Sequence, residues 1–399
     1  MARMGGHPEG SQRHPPLSPQ SGPEKAVGQG PASLRKETLR FPISFVAIFR
    51  TLACLGLFLA LYLQAFAASA TAGQANIFIY HRFGEARYPS TNIALDVFSA
   101  QLRELREGDY SVLPLGEVVD RLRSGDPLPE RCACLTVDDA FRSFLSGAMP
   151  LLRRHGFPVT LFVNTDAVGT PGYLDWDELR ALAREGVEIG NHSASHAYLV
   201  ENLPGEDDKA WRERVGGDLI RAQRQLEREL GGTSRLFAYP YGEYSPGLLE
   251  VVRDLGFSGA AAQQSGVAAH GADLFTLPRF PMGGAYATLE GFRDKLAMRH
   301  LAVKVVSPVS PIIGAEDPPV LIVEIPVGEV DLSRLRCFVQ GQGEARISRD
   351  PAAPGRFRVQ ALQLLSGRRN KYTLTAPSLD GRRWYWFSQL WVRRGTVER

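Results

Sequence analysis

The sequence contains few cysteines and little imbalance of charge. Four cysteines in 399 residues are too few for a scaffold held by disulfides, and none lies in a metal-binding cysteine motif, so we expect them to be reduced or buried. The first 70 residues carry seven Lys or Arg and three Asp or Glu, whereas the rest of the chain carries 39 basic and 40 acidic residues. Because nucleic-acid binding requires a concentrated basic face, we expect no nucleic-acid partner.

Long hydrophobic runs are also scarce, and the clearest one extends from Leu52 to Ala68. Residues 1–40 form a polar extension that we expect to be disordered. A basic patch of Arg35, Lys36, Arg40 and Arg50 precedes the apolar run, which ends in the small residues Ala68-Ser69-Ala70. This order is typical of a signal peptide, which we assign to residues 41–73. With residues 43–49 included, the run reaches the ~20 residues of a membrane span, so residues 43–68 could instead be an uncleaved anchor. Either reading exports the rest of the chain to the periplasm or the extracellular space.

Strand and helix patterns alternate through residues 74–300, which predicts an α/β domain, with a distorted (β/α) barrel favoured over an open sheet. The run Cys132 to Val137 reads as a buried strand that stops at two adjacent acids, Asp138 and Asp139. An earlier strand ends at His81 in the same way. In parallel sheets the carboxyl ends of the strands are where ligands bind, so these side chains are candidates for one site.

The two adjacent carboxylates repel each other unless a cation or a shared proton relieves them. They could also be a helix N-cap followed by a first-turn acid. His192 and His196 are four residues apart, which would place both imidazoles on one face of a helical turn. Two histidines and one carboxylate make the three-ligand open site of a catalytic zinc, and the second acid could then serve as a general base.

Three short motifs together resemble those of the polysaccharide deacetylases, the family-four carbohydrate esterases with a NodB homology domain. The motifs are Thr136-Val137-Asp138-Asp139, His192-Ser-x-x-His196 and Tyr239-Pro240-Tyr241-Gly242. The resemblance implies that Asp138 is the base and that Asp139, His192 and His196 bind a divalent metal ion, zinc first, with cobalt or nickel as alternatives. It also implies that Tyr241 lends its backbone N–H to the oxyanion.

The chain departs from the family pattern at three places. Ala140 replaces the usual glycine after the acid pair, and Ala238 replaces the arginine that orients the base. Arg279 is our candidate for that orienting role, the alternative being a surface arginine. No late Leu-x-His motif is evident, and His270 fits it poorly, so we assign the general acid to His81. This arrangement resembles the exported poly-N-acetylglucosamine deacetylases, in which the motif stands at the front of the domain.

Residues 301–399 show a different pattern, with a proline-rich linker followed by short alternating runs. Their spacing predicts a small all-β sandwich of immunoglobulin-like type that would be an accessory domain. The last run, Trp384 to Trp391, is aromatic on both faces. Its rings could stack on a sugar or form the sandwich core and the domain interface.

We therefore expect an exported, metal-dependent hydrolase that removes N-acetyl groups from an N-acetylglucosamine-type polysaccharide. Two alternatives remain open at this point: a catalytically silent polysaccharide-binding protein on the same fold, and an O-acetyl esterase. Tyr198, which follows the histidine pair, could contact substrate, whereas Trp176 at a helix start better suits the core.

Overall fold

The computed structural model describes residues 73–314 and 318–396. The predicted disordered extension, the leader and Cys54 lie outside these residues. No helix in the described ranges is long and apolar enough to cross a membrane. Cys132, Cys134 and Cys337 are free and buried, as expected for cysteines that belong to strands of a core.

Strands and helices alternate over residues 74–297. The strands are β1 (Gln74–Tyr80), β2 (Arg82–Phe83), β3 (Asn92–Ile93), β4 (Ser111–Val112), β5 (Cys132–Val137), β6 (Thr160–Val163), β7 (Glu188–Asn191), β8 (Leu236–Ala238), β9 (Gly259–Ala261), β10 (Ala268–Ala269) and β11 (Phe280–Pro281). The α-helices are α1 (Leu95–Glu107), α2 (Leu115–Ser124), α3 (Met149–His155), α4 (Trp176–Arg184), α5 (Asp208–Leu230), α6 (Pro246–Asp254) and α7 (Leu289–Ala297).

One nine-stranded sheet organises this part, in the order β10-β1-β5-β6-β7-β8-β9, with β4 paired to β5 and β11 paired to β1. All pairs from β1 to β9 are parallel. Every residue of β5 is buried, because helices cover both faces of a parallel sheet. The carboxyl ends of β1, β5, β7 and β8 therefore lie at one edge, and the candidate site residues follow these strands.

The sheet curls until a short segment spans the gap between its two edges. Leu277 bridges to Ala261 of β9, and Phe280 pairs with Phe78 of β1. Arg279 lies between these two contacts, at the seam. The α/β class predicted from the sequence is confirmed, and the sheet is curled rather than a regular barrel of eight strand–helix units.

The helix ends that set the loops follow from local chemistry. Ser245 caps α6 by accepting a hydrogen bond from the Leu248 N–H, with Pro246 in the first turn, and both residue types are favoured at these positions. Gly231 ends α5 with a φ of 73°, a left-handed conformation that favours glycine. These ends fix the return of the chain into β8, and so the position of the Tyr241 loop.

The C-terminal part is all β. Its strands are β12 (Met298–His300), β13 (Lys304–Ser307), β14 (Ile312–Ile313), β15 (Val320–Glu324), β16 (Arg336–Val339), β17 (Gly343–Glu344), β18 (Arg346–Asp350), β19 (Ala353–Gln360), β20 (Arg369–Pro377) and β21 (Trp384–Arg393). One sheet has the order β12-β21-β20-β16-β17 with β14 on β21, and the other has the order β13-β15-β19-β18. The immunoglobulin-like assignment stays a prediction.

The β20–β21 ladder has one face in the all-β core and one face toward the α/β part. Tyr372 and Leu374 of β20 are buried with Trp391 in the all-β cluster. On β21, Leu390 and Val392 instead belong to the hydrophobic cluster of α5 and α6, which includes Val215 and Leu248. This alternation follows from the two-residue period of a strand. It brings the residues at the start of β20 to the candidate site.

Candidate active site

Asp138 is held by a guanidinium that is itself fully buried. Both side chains have no exposed surface, and Arg279 donates from Nη1 to Oδ1 (2.7 Å) and from Nη2 to Oδ2 (2.8 Å). Two further N–H groups of Arg279 donate to the Ala262 carbonyl (2.9 Å) and the Thr136 hydroxyl (3.1 Å). A fork of two parallel hydrogen bonds fixes the plane of the carboxylate as well as its charge. The structure thus brings the sequence candidate Arg279 to Asp138.

Burial by itself would raise the pKa of the Asp138 carboxyl. The charge of Arg279 opposes it, with a smaller contribution from His192, and the pKa is lowered overall. Asp138 is therefore ionised at neutral pH although it has no contact with solvent. An ionised carboxylate with a fixed orientation has the properties that a general base requires.

Asp139, His192 and His196 converge on one point. Oδ1 of Asp139 lies 3.4 Å from Nε2 of His192 and 3.2 Å from Nε2 of His196, and all three potential ligand atoms lie within 4.8 Å of one another. Nδ1 of His192 is 2.7 Å from the carbonyl oxygen of Ala238, to which it donates, so Nε2 is left as the free nitrogen. One carboxylate oxygen and two imidazole nitrogens fit a divalent ion such as zinc.

The electrostatics of the cluster also favour a cation. Burial raises the pKa of Asp139, but hydrogen bonds from His192 and His196 bring it well below its usual value. Burial lowers the pKa of His192, yet the carboxylates of Asp138 and Asp139 outweigh it and raise the pKa overall. The carboxylates of Asp138 and Asp139 thus create a negative potential at the imidazole nitrogens, where a metal ion would be bound.

The histidine motif is not a helical turn, contrary to the sequence prediction. Ser193 and His196 have φ values of 63° and 53°, and the motif lies in the loop after β7. The Ser193 N–H donates to the Asn191 side chain (2.8 Å), and the His196 N–H donates to the Ser193 hydroxyl (2.9 Å). Such local side-chain bonds compete with helix formation. The loop still brings both imidazoles to the same carboxylate.

Left-handed backbone is concentrated at this site. Within residues 73–314 and 318–396, six non-glycine residues have positive φ, and all except Asp109 lie in the three motifs or, for Ala140, directly after one. They include Asp139 (76°), Ala140 (57°) and Tyr241 (59°). Non-glycine residues adopt this region only where surrounding contacts enforce it, typically at functional sites. The conformation at Ala140 also explains why the family has glycine there.

Tyr241 closes one side of the site. Its ring lies edge-on to the His196 ring at 4.7 Å and stacks on Tyr198 at 4.0 Å, with the two planes 19° apart. Burial and the neighbouring Tyr198 raise the pKa of Tyr241 to about 12. Its carbonyl oxygen accepts a hydrogen bond from Arg369 of β20. Tyr198 therefore supports the Tyr241 loop, and Trp176 packs against the main core, as expected.

Sequence reasoning missed Arg368, which comes from the loop before β20. It is 2% exposed and donates to both carboxylate oxygens of Glu243 (2.7 and 2.6 Å) and to Glu201. Its guanidinium carbon lies 3.9 Å from the centre of the Tyr198 ring. Arg368 and Tyr198 therefore form a stack behind Tyr241. In the sequence this arginine looks like any charged residue at a strand start, so no local signal marks it.

His81 follows β1 directly and is half-buried. Burial lowers the pKa of its imidazole, and the charges of Asp139 and Asp138 only partly compensate. Tyr80 pairs with Val137 of β5, and the Asp138 N–H donates to the Tyr80 carbonyl oxygen (2.9 Å). His81 therefore directly follows the residue that is bonded to the acid pair. A histidine with a lowered pKa is a strong proton donor once it is protonated.

Comparison with known proteins agrees with this geometry. The family model described as polysaccharide deacetylase matches residues 125–260. The poly-beta-1,6-N-acetyl-D-glucosamine N-deacetylase of Escherichia coli (strain K12) is 25% identical over 224 residues, covering 46% of this chain and 33% of that protein. The enzyme of the same name from Staphylococcus aureus (strain MRSA252) is 24% identical over 211 residues, covering 51% and 72%. The chain thus spans about a third of the length of the first of these relatives.

A solved structure, IcaB from Ammonifex degensii, superposes with a TM-score of 0.50 at 25% identity. The match covers 56% of this chain and 97% of that one. The match over residues 125–260 contains the acid pair, both histidines and the Tyr241 motif. Residues 125–260 of this chain therefore match the polysaccharide deacetylase family.

Proposed function

We propose that this protein is a metal-dependent deacetylase that removes N-acetyl groups from an N-acetylglucosamine-type polysaccharide. The observation that carries the proposal is the convergence of Asp139, His192 and His196 beside an ionised Asp138 that Arg279 orients. The relatives from Escherichia coli and Staphylococcus aureus are named as poly-beta-1,6-N-acetyl-D-glucosamine N-deacetylases, which supports the same substrate class. Zinc is the ion that this donor set fits first, with cobalt or nickel as substitutes.

The reaction is hydrolysis of an amide, in which a water oxygen bonds to the acetyl carbon and the carbon–nitrogen bond breaks. A divalent ion at the three ligands would lower the pKa of water and polarise the amide oxygen. Asp138 accepts the proton of the attacking water, and Arg279 keeps its carboxylate oriented. The Tyr241 N–H stabilises the oxyanion, a contact worth roughly 3–4 kcal/mol. His81 then donates its proton to the leaving amine nitrogen.

The binding-only alternative was based on Ala238, which stands where the family has arginine. In the folded chain, Arg279 supplies a guanidinium to Asp138 from the seam of the sheet. Burying both charges has a large desolvation cost. A protein that only binds polysaccharide would gain no catalytic benefit to offset this cost. The arrangement therefore favours the enzyme.

The test is acetate release from N-acetylglucosamine oligomers by the full chain loaded with zinc, cobalt or nickel. Asp138→Asn should abolish release while metal analysis finds the ion still bound, and Asp139→Ala should lose both. Asp120→Asn, an exposed acid on α2, is the matched control and should change neither. Oligomers bearing O-acetyl esters, assayed in parallel, separate the esterase alternative. Absence of acetate from every amide oligomer by the metal-loaded protein would refute the proposal.

We also propose that the protein acts outside the cytoplasmic membrane, with residues 41–73 as signal peptide or anchor and the all-β part as an accessory domain. The composition of the leader supports export. N-terminal sequencing of the protein recovered from the producing cells tests this. If the leader is cleaved, the mature chain begins just after Ala70, whereas an intact anchor leaves the original N-terminus. Recovery of the uncleaved chain in the cytoplasm would contradict export.

A further inference from the structure

A cleft of about 420 Å³ lies where β20 and β21 face β11 and α7. Four aromatic side chains line it: Phe280, Tyr286, Phe338 and Trp386. Tyr286 and Phe338 are 58% and 38% exposed, which is unusual for rings of this size. Two ammonium groups, from Lys295 and Lys371, also line the cleft, and none of the described residues around it is acidic.

Both walls of the cleft lead back to the candidate active site. On one wall, Phe280 and Pro281 directly follow Arg279 and pair with β1, just before His81. On the other wall, Arg369 contacts the Tyr241 carbonyl. Lys371 follows two residues later on the same face of β20, ~6.6 Å further along at the rise of a strand. A sugar chain extending from the site toward the all-β part would therefore enter this cleft.

Both lysines are half-buried, and neither has an ion-pair partner in the part of the chain that the structure describes. Among the described residues, no carboxylate pairs with the Lys371 ammonium, and burial together with the charge of Arg369 lowers its pKa to about 8. Burial also lowers the pKa of Lys295, which the adjacent Asp294 only partly restores. The Lys295 ammonium lies 4.8 Å from the centre of the Trp386 ring. Cations withdrawn from water in this way are stabilised when an anion binds between them.

We propose that this cleft binds a carboxylate group carried by the polysaccharide, on a sugar unit next to the one that is deacetylated. The inference rests on the proposed function, because it extends the substrate of the same site. Lys371 and Lys295 contact the carboxylate, and the aromatic rings contact the apolar face of the sugar. Acetate, the product, offers the same carboxylate chemistry, but it has no ring for the aromatic side chains to contact.

The test compares an N-acetylglucosamine tetramer with its carboxymethylated form. For the full chain loaded with zinc, kcat/KM should be higher for the anionic tetramer. Lys371→Met should lower the ratio of the two kcat/KM values about ten-fold, as expected for loss of one charge-assisted hydrogen bond. Lys371→Arg, which keeps the charge, should retain most of the ratio. Lys209→Met, an exposed lysine on α5, is the control and should leave the ratio unchanged.

Other outcomes are equally decisive. An unchanged ratio in Lys371→Met, or an equal loss in Lys371→Met and Lys371→Arg, would overturn the proposal. The proposal would also be overturned if sodium acetate, at the concentration of product formed in the assay, abolished the higher kcat/KM for the anionic tetramer. The cleft would then bind the product. If the wild-type protein hydrolyses neither tetramer, the proposed function fails. Calorimetric binding of the two tetramers then tests the cleft by itself: tighter binding of the anionic one that is lost in Lys371→Met supports it, and equal binding refutes it.

Discussion

Replacement of Arg368 by methionine tests whether the all-β part positions the catalytic loop. The substitution keeps much of the side-chain volume and removes the guanidinium that contacts Glu243, Glu201 and the Tyr198 ring. Because Glu243 is 2% exposed, it would become a buried carboxylate that has lost a major counter-charge. Breaking a buried pair in this way costs about 3–5 kcal/mol of unfolding free energy.

We expect Arg368→Met to lower kcat as well as the free energy of unfolding. Without Arg368, Tyr198 loses the group stacked behind it, and Tyr241 loses the support that sets its left-handed backbone. A displacement of about 1 Å at a reacting group can cost roughly a hundred-fold in rate. We therefore expect kcat on an N-acetylglucosamine tetramer to fall by about that factor, with little change in bound metal, because none of the three ligands contacts Arg368.

Two further variants separate the loss of stability from the loss of positioning of the Tyr241 loop. Arg368→Met combined with Glu243→Met removes both charges, so it should recover part of the unfolding free energy measured by chemical denaturation while kcat stays low. Arg153→Met breaks an exposed two-bond pair with Glu185, and should cost at most about 1 kcal/mol with no change in kcat. A normal kcat in folded Arg368→Met protein would refute the positioning role and leave Arg368 a purely structural residue.

Three other predictions concern the site and the fold. Arg279→Lys keeps the charge but loses the fork, so kcat should fall about a hundred-fold while metal content is retained; unchanged kcat would exclude orientation of Asp138 as its role. Chelation should abolish acetate release and added zinc should restore it, with circular dichroism unchanged, and release that persists in metal-free protein would contradict a metal reaction. Burial lowers the pKa of His300 below its unfolded value, so its contribution to stability is present above pH ~6.5 and is lost as the pH falls toward the folded pKa. Denaturation midpoints should therefore drop less between pH 8 and 5 in His300→Gln than in the wild type, and equal drops would contradict this.

The sequence locates most of the site because of the topology of parallel sheets. His81, Asp138 and His192 each directly follow a strand, and the carboxyl ends of parallel strands meet at one edge. Their proximity therefore needs no knowledge of the loops. Local patterns were equally informative at α6, where Ser245 and Pro246 mark the helix start.

The errors came from interactions that local patterns do not encode. A spacing of four residues between His192 and His196 fits a helix, but the hydrogen bonds of Asn191 and Ser193 impose a loop. Arg368 reaches Glu243 across 125 residues of sequence, and no periodicity predicts such a pair. Long-range charge pairing of this kind is decided by the packing of the two parts.

Arg368 and Arg369, which the all-β part contributes beside the Tyr241 loop, have a practical consequence for truncation of the protein. A fragment ending at residue 300 would keep the three motifs that resemble the family and all three proposed metal ligands. It would also lose the counter-charges of Glu201 and Glu243 and uncover the apolar surface that Leu390 and Val392 protect. Inactivity of such a fragment would be an artefact of truncation, and it could be mistaken for evidence that the intact protein is a pseudoenzyme.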